Sequence, residues 1–162
     1  MDPTEILKGK RILVVDDEKD VLDFIGEALD MCVVDLASTY EEAVELLESR
    51  PYHLAVFDIM GVRGYDLLDL ARSKDIPALM LTAHALSKDS LKKSVERGAS
   101  YYVPKDEMHR IAEFLADIVE AREKKKNIWV KWYERMSGFC DRRFGPGWHE
   151  EEPEFWDVYI RR

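Results

Sequence analysis

Short, wholly apolar runs alternate along the first two-thirds of the chain with stretches in which apolar residues recur every three or four positions. The run Ile12-Leu13-Val14-Val15 is continuous and rich in β-branched residues, the pattern of a strand covered on both faces. Beyond Asp16, the residues Val21, Leu22, Ile25, Ala28 and Leu29 fall on one helical stripe, and Val33 to Ala37 reads as a second strand. Ser38 or Thr39 can cap a helix that buries Ala43, Val44, Leu46 and Leu47 and stops before Pro51. The cycle then recurs: strand Leu54 to Phe57 with a helix over Tyr65 to Arg72, and strand Ala78 to Leu81 with a helix over Ser87 to Arg97 that Gly98 closes. Tyr101-Tyr102-Val103 is the last strand, and from Met108 onward Ile111, Phe114, Leu115, Ile118 and Val119 form the stripe of a last helix. Five such units with short connections predict an α/β fold with a doubly wound parallel sheet, because parallel neighbours require helical crossovers of one hand.

The pattern changes after residue 121. A polar stretch, REKKKN, is followed by Ile128, Trp129, Trp132, Tyr133 and Met136 at helical spacing, which predicts one long helix running past the sheet. The segment FGPGWHEEEP then breaks any regular element before Phe155 and Trp156. We divide the 162 residues into a unit at 1–121 and an extension at 122–162. About forty residues without a metal or disulfide do not build a core of their own. The extension must fold back on the first unit, pair with a second copy or order on a partner. All four tryptophans (Trp129, Trp132, Trp148 and Trp156) lie in it, and indole anchors favour an interface, so a homodimer through 122–162 is expected, with intramolecular packing as the competing account.

Charge narrows the partners. A net charge of -9 and a pI near 5.0 argue against general affinity for nucleic acid or anionic membranes. The basic residues Lys124, Lys125, Lys126, Lys131, Arg135, Arg142 and Arg143 are interrupted by Glu123, Glu134 and Asp141, which favours a solvated helix face over a nucleic-acid surface. No stretch approaches the roughly 20 apolar residues that span a bilayer, and MDPTEILKGKR does not resemble a targeting segment, so a cytoplasmic location is expected. Cys32 and Cys140 form no metal-binding pattern.

In a parallel α/β sheet, ligands bind beyond the carboxyl ends of the strands, where Asp16, Asp17, Asp58, Thr82 and Lys105 all fall. Three carboxylates suit a hard divalent cation such as Mg²⁺. Asp58 can act as a nucleophile toward phosphorus, Lys105 can neutralise the phosphoryl oxygens, and the Thr82 hydroxyl can donate to one of them. Any one of these residues alone reads as a turn or cap former; four successive strand ends carry the chemistry together. His84 can overhang the site, although a solvated loop histidine is the plainer reading, while His53, His109 and His149 have no evident partners. Gly61 and Gly64 read as turn residues, since no GxxxxGK pattern surrounds them.

ILVVDDE at 12–18, LAVFD ending at Asp58, ALMLTAHA at 78–85 and GASYYVPK at 98–105 stand in the order found in the receiver domains of two-component response regulators, which the chain resembles over about residues 8–121. The resemblance implies a flavodoxin-like strand order 2-1-3-4-5, with Asp58 as phosphoacceptor from a sensor histidine kinase or phosphotransfer protein. It implies Mg²⁺ held by Asp16, Asp17, Asp58 and the backbone carbonyl of Met60, with Lys105 and Thr82 on the phosphoryl group. Tyr102 becomes an aromatic switch that turns inward as Thr82 moves, and Met60 and His84 become rim residues that tune phosphoryl lifetime. Two departures stand out. Asp106 follows Lys105 where the family usually has proline, Pro104 preceding it instead, and the Asp58–Gly64 connection is about two residues short. The implied function is a phosphorylation-dependent switch acting through contacts with a downstream protein, with no catalysis beyond its own phosphoryl gain and loss. A receiver-like scaffold that no longer switches is the alternative. A phosphatase-type hydrolase is disfavoured because Met60, not a second acid, stands two residues after Asp58.

Overall fold

Strand β1 (Arg11–Val15) lies inside the sheet, with β2 (Val33–Ala37) on one side and β3 (Leu54–Asp58) on the other. Beyond β3 come β4 (Ala78–Thr82) and the edge strand β5 (Tyr101–Pro104), so the order is 2-1-3-4-5 with every pairing parallel. The computed structural model describes residues 2–83 and 86–160. Every residue of β3 and β4 is buried, as expected of their apolar runs, and the burial extends to the polar residues that end them, Asp58 and Thr82. Helices α2 (Lys19–Ala28), α3 (Tyr40–Ser49), α4 (Gly64–Ser73), α5 (Lys88–Glu96) and α6 (Ile111–Lys124) connect or follow the strands. The Thr39 hydroxyl accepts from the Glu42 amide at 3.1 Å to cap α3, and the Ser87 hydroxyl accepts from the Ser90 amide at 3.0 Å to cap α5. None of the described helices is long and apolar enough to cross a membrane.

Three elements differ from the sequence-based expectations. A short N-terminal helix, α1 (Pro3–Leu7), precedes β1 and buries Leu7 completely. Residues Lys105–Arg110 form a 3-10 turn, so α6 begins at Ile111 rather than Met108. The long helix is two helices: Lys125 takes a left-handed conformation (φ 53°) that ends α6, and the Asn127 side chain caps α7 (Ile128–Phe144) by accepting from the Trp129 amide at 2.9 Å.

That break turns α7 back onto the sheet. An edge strand exposes unpaired backbone groups, and proteins commonly cover such edges. Here the Trp132 indole donates to the Tyr102 carbonyl at 2.8 Å, and Trp132 is fully buried. Arg135 grips the Asp117 carboxylate of α6 with two nitrogens, at 2.5 and 3.0 Å, and also pairs with Glu113. A 3-10 turn at Trp148–Glu151 and helix α8 (Pro153–Ile160) complete the extension, where the Asn127 amide donates to the Tyr159 carbonyl at 2.8 Å. Lys88 and Lys92 of α5 reach Glu151 and Glu152 at 2.6 and 2.9 Å. Trp129, Trp132, Trp148 and Trp156 are all buried within one chain, and their contacts are continuous with the core around the sheet. The exposed apolar stripe that motivated a homodimer through 122–162 is therefore satisfied intramolecularly.

Candidate functional site

The carboxyl ends of β1, β3 and β4, with the turn after β5, bring Asp16, Asp58, Thr82 and Lys105 together. Asp16, Asp58 and Thr82 are 0, 5 and 1 % exposed. Lys105 Nζ lies 3.0 Å from Asp16 Oδ2, 2.9 Å from Glu18 Oε1 and 3.7 Å from Asp58 Oδ1. One ammonium thus bridges three carboxylates, and it leans toward Asp16 and Glu18 rather than the proposed phosphoacceptor. Glu18 is the site residue that the reading of the sequence did not single out; its signal was the third acid of the Asp16-Asp17-Glu18 run.

Burial sets the electrostatics. Desolvation, with the Asp16 charge behind it, pushes the Asp58 carboxyl up to about 7, and Lys105 offsets only part of that. Asp16 is raised as well, again mainly by desolvation, although the Glu18 amide donates to its Oδ1 at 2.8 Å and Lys105 stands beside it. Burial alone would lower the Lys105 pKa, but its hydrogen bond to Glu18 and the nearby charges of Asp16 and Asp58 outweigh burial and raise it. Asp16 Oδ2 sits within ion-pair distance of Lys105 but off the angle of a hydrogen bond, and the Thr82 hydroxyl has no hydrogen-bond partner among the described residues. Buried polar atoms left this way are uncommon and point to a group the site is built to receive.

The acidic trio is suited to a hard cation. Ligand oxygens of Asp16, Asp17 and Glu18 lie within 4.8 Å of one another; Asp58 stands outside that trio, although the charges of Asp16 and Asp17 act on it. The short β3–α4 loop shapes the rim. Gly61 has φ +87°, and a Cβ there would come within 2.5 Å of the Asp17 carboxylate, so the loop backbone approaches the acids as only glycine permits. Met60 is 54 % exposed on this loop. His84 lies outside the described residues. Pro104 closes β5 opposite Thr82, a position where an edge strand tolerates a missing N–H, and the 3-10 turn starts at Lys105. Tyr102 is 2 % exposed, with its hydroxyl 2.7 Å from Ser90 Oγ.

A parallel sheet of this order with paired acids, a lysine and a hydroxyl at its carboxyl edge defines a receiver, and the comparisons agree. The family model of the response regulator receiver domain matches residues 12–116, and the chain belongs to that family. The transcriptional regulatory protein YvrH of Bacillus subtilis is 33 % identical over 106 residues, covering 61 % of this chain and 44 % of that protein. A two-component response regulator of Arabidopsis thaliana is 33 % identical over 103 residues, 60 % of this chain and 16 % of that protein. The chain thus spans less than half the length of these curated relatives. Among solved structures, a CheY-like receiver domain protein from Methanospirillum hungatei superposes with TM-score 0.65 at 28 % identity, covering 73 % of this chain and 99 % of the other.

Proposed function

We propose that this receiver is a phosphorylation-dependent switch in which Asp58 accepts a phosphoryl group from a histidine kinase or phosphotransfer protein and the changed surface is read by a downstream protein. The observation that carries this reading is the buried Asp58 carboxylate 3.7 Å from the Lys105 ammonium, beside the unpartnered Thr82 hydroxyl. A carboxylate oxygen of Asp58 attacks phosphorus in line, the bond from phosphorus to the donor's leaving atom breaks, and the leaving group departs with the electron pair. Lys105 neutralises the transferred oxygens and Thr82 donates to one of them. Asp16, Asp17 and Asp58, with the Met60 carbonyl, would hold Mg²⁺, which supplies charge neutralisation at the phosphoryl oxygens when bound. Hydrolysis later returns the carboxylate, and the exposed Met60 side chain at the rim sets water access.

Tyr102 fits the role of a relay, because it joins the two regions concerned. Its hydroxyl meets Ser90 on α5, the helix that follows the Thr82 loop, while its carbonyl receives the Trp132 indole. A shift of Thr82 toward a phosphoryl oxygen is transmitted by this residue to α7. The test is incubation with Mg²⁺ and a small acyl phosphate followed by intact-mass measurement: the parent gains one phosphoryl group and Asp58→Asn does not. An unlabelled but folded parent would favour the non-switching scaffold instead.

A further inference from the structure

The extension also lines a recess together with residues next in the chain to Thr82 and Lys105. The recess, of about 360 Å³, is lined by Ala83, Leu86, Asp106, Phe139, Arg142 and Arg143. Two of these residues are direct chain neighbours of the machinery described above: Ala83 follows Thr82, and Asp106 follows Lys105. Arg142 and Arg143 come from the last turn of α7, which the Trp132 and Arg135 contacts hold against β5 and α6. Both arginines are exposed, and neither forms an ion pair or hydrogen bond with a described residue. Other cations of the same region behave differently, since Lys88, Lys92, Arg110 and Arg135 are each engaged with a carboxylate.

An anionic phosphodonor must approach Asp58 against Asp16, Asp17 and Glu18, on a protein whose net charge is -9. Two unengaged guanidiniums beside that path create a local attraction, which the single Asp106 carboxylate in the recess reduces but does not cancel. The planar fork of a guanidinium also matches phosphoryl oxygens better than an ammonium does. We infer that Arg142 and Arg143 form a receiving subsite for the phosphodonor, holding its anionic phosphoryl group beside Asp58 before transfer. This inference rests on Asp58 being the acceptor, and it gives the extension a part in the reaction as well as in the fold. The plainer account is that the two arginines only complement the carboxyl end of α7.

The two accounts separate by salt dependence. Phosphorylation rates of the full chain would be measured with acetyl phosphate and, separately, with phosphoimidazole as a phosphohistidine analogue, at low salt and at about 1 M, where screening shrinks to about 3 Å. The double variant Arg142→Gln/Arg143→Gln is expected to slow phosphorylation about threefold to tenfold at low salt, with the deficit closing at high salt. Arg142→Lys/Arg143→Lys, which keeps the charge without the planar fork, should recover part of the rate. A loss with both donors assigns recognition to the phosphoryl group itself, whereas a loss confined to acetyl phosphate assigns the subsite to small acyl phosphates. Equal rates for parent and Gln variant at low salt, or a deficit unchanged by salt, overturn the subsite while leaving the acceptor assignment standing. A parent that takes no label on Asp58 overturns both.

Discussion

The switch edge and the covered face of β5 solve opposite problems with residues a few positions apart. At the edge, Asp16, Asp58 and Thr82 are buried, and Asp16 Oδ2 and the Thr82 hydroxyl are left without a hydrogen-bond partner among the described residues. On the face, Trp132 meets the Tyr102 carbonyl, and Arg135 meets Asp117 and Glu113, so these buried groups have partners, although the Trp148 indole N–H farther along the extension has none among the described residues. Unmet polar capacity costs stability and prepares a site to receive charge; met capacity fixes a geometry. The same strand, β5, therefore leads into the turn that carries Lys105 and flanks a structural seam.

The largest expected effects break the seam. Trp132→Ala removes a fully buried indole and leaves the Tyr102 carbonyl without its donor, so a loss of about 3–5 kcal/mol is expected in urea denaturation. Arg135→Ala leaves the buried Asp117 carboxylate with the Tyr101 hydroxyl as its remaining donor, with a loss of about 2–4 kcal/mol that Asp117→Asn in the same chain should partly restore. Losses under about 1 kcal/mol would mean that the extension packs only loosely.

The two regions were unequally legible in the sequence. The switch edge could be read because each of its residues directly follows an apolar run, and a strand's end is a local signal. The seam depends on where α6 stops. Lys125 ends it in a left-handed conformation that Gly or Asn would have advertised and lysine does not. Asn127 was a readable cap, but the good helix formers Arg122 to Lys126 argued for continuity more strongly. Helix α1 is too short to show a periodic stripe, and the Trp132 to Tyr102 bond spans 30 residues that no local pattern connects.

A smaller effect of opposite sign is expected at the switch edge. The Asp58 pKa is raised in the folded protein to about 7 from an ordinary value of 3.8. The folded state therefore binds more protons than the unfolded state between those values, and stability falls as pH rises through that window. The penalty is absent below about 3.8 and complete above about 7. In metal-free protein Asp58→Asn should gain roughly 1–3 kcal/mol at pH 8 and almost nothing at pH 4, read from denaturation midpoints of both proteins at each pH. A destabilised Asn variant at pH 8 would show that Lys105 pairing dominates burial.

Mg²⁺ sharpens the same point, because a cation that binds only the folded site stabilises it by mass action. At a concentration a hundred times its dissociation constant the gain is about 2.7 kcal/mol. Thermal denaturation with and without MgCl₂ should show this rise in the parent and little of it in Asp16→Asn or Asp17→Asn. Equal rises in all three proteins would place the cation elsewhere.

The smallest effect concerns the second link between the regions. Lys88 and Lys92 lie on α5, which follows the Thr82 loop, and their partners Glu151 and Glu152 lie on the extension. All four side chains are substantially solvent-exposed, so each pair should contribute no more than about 1 kcal/mol and should weaken with salt. The double variant Lys88→Ala/Lys92→Ala is expected to unfold within about 1–2 kcal/mol of the parent, and the difference should shrink in 0.5 M NaCl. That outcome would assign the seam to Trp132 and Arg135 and leave α5 free to shift relative to the extension when Asp58 is modified. A salt-independent loss as large as that of Trp132→Ala would mean instead that α5 is clamped, so that a signal from Thr82 could reach α7 only through β5.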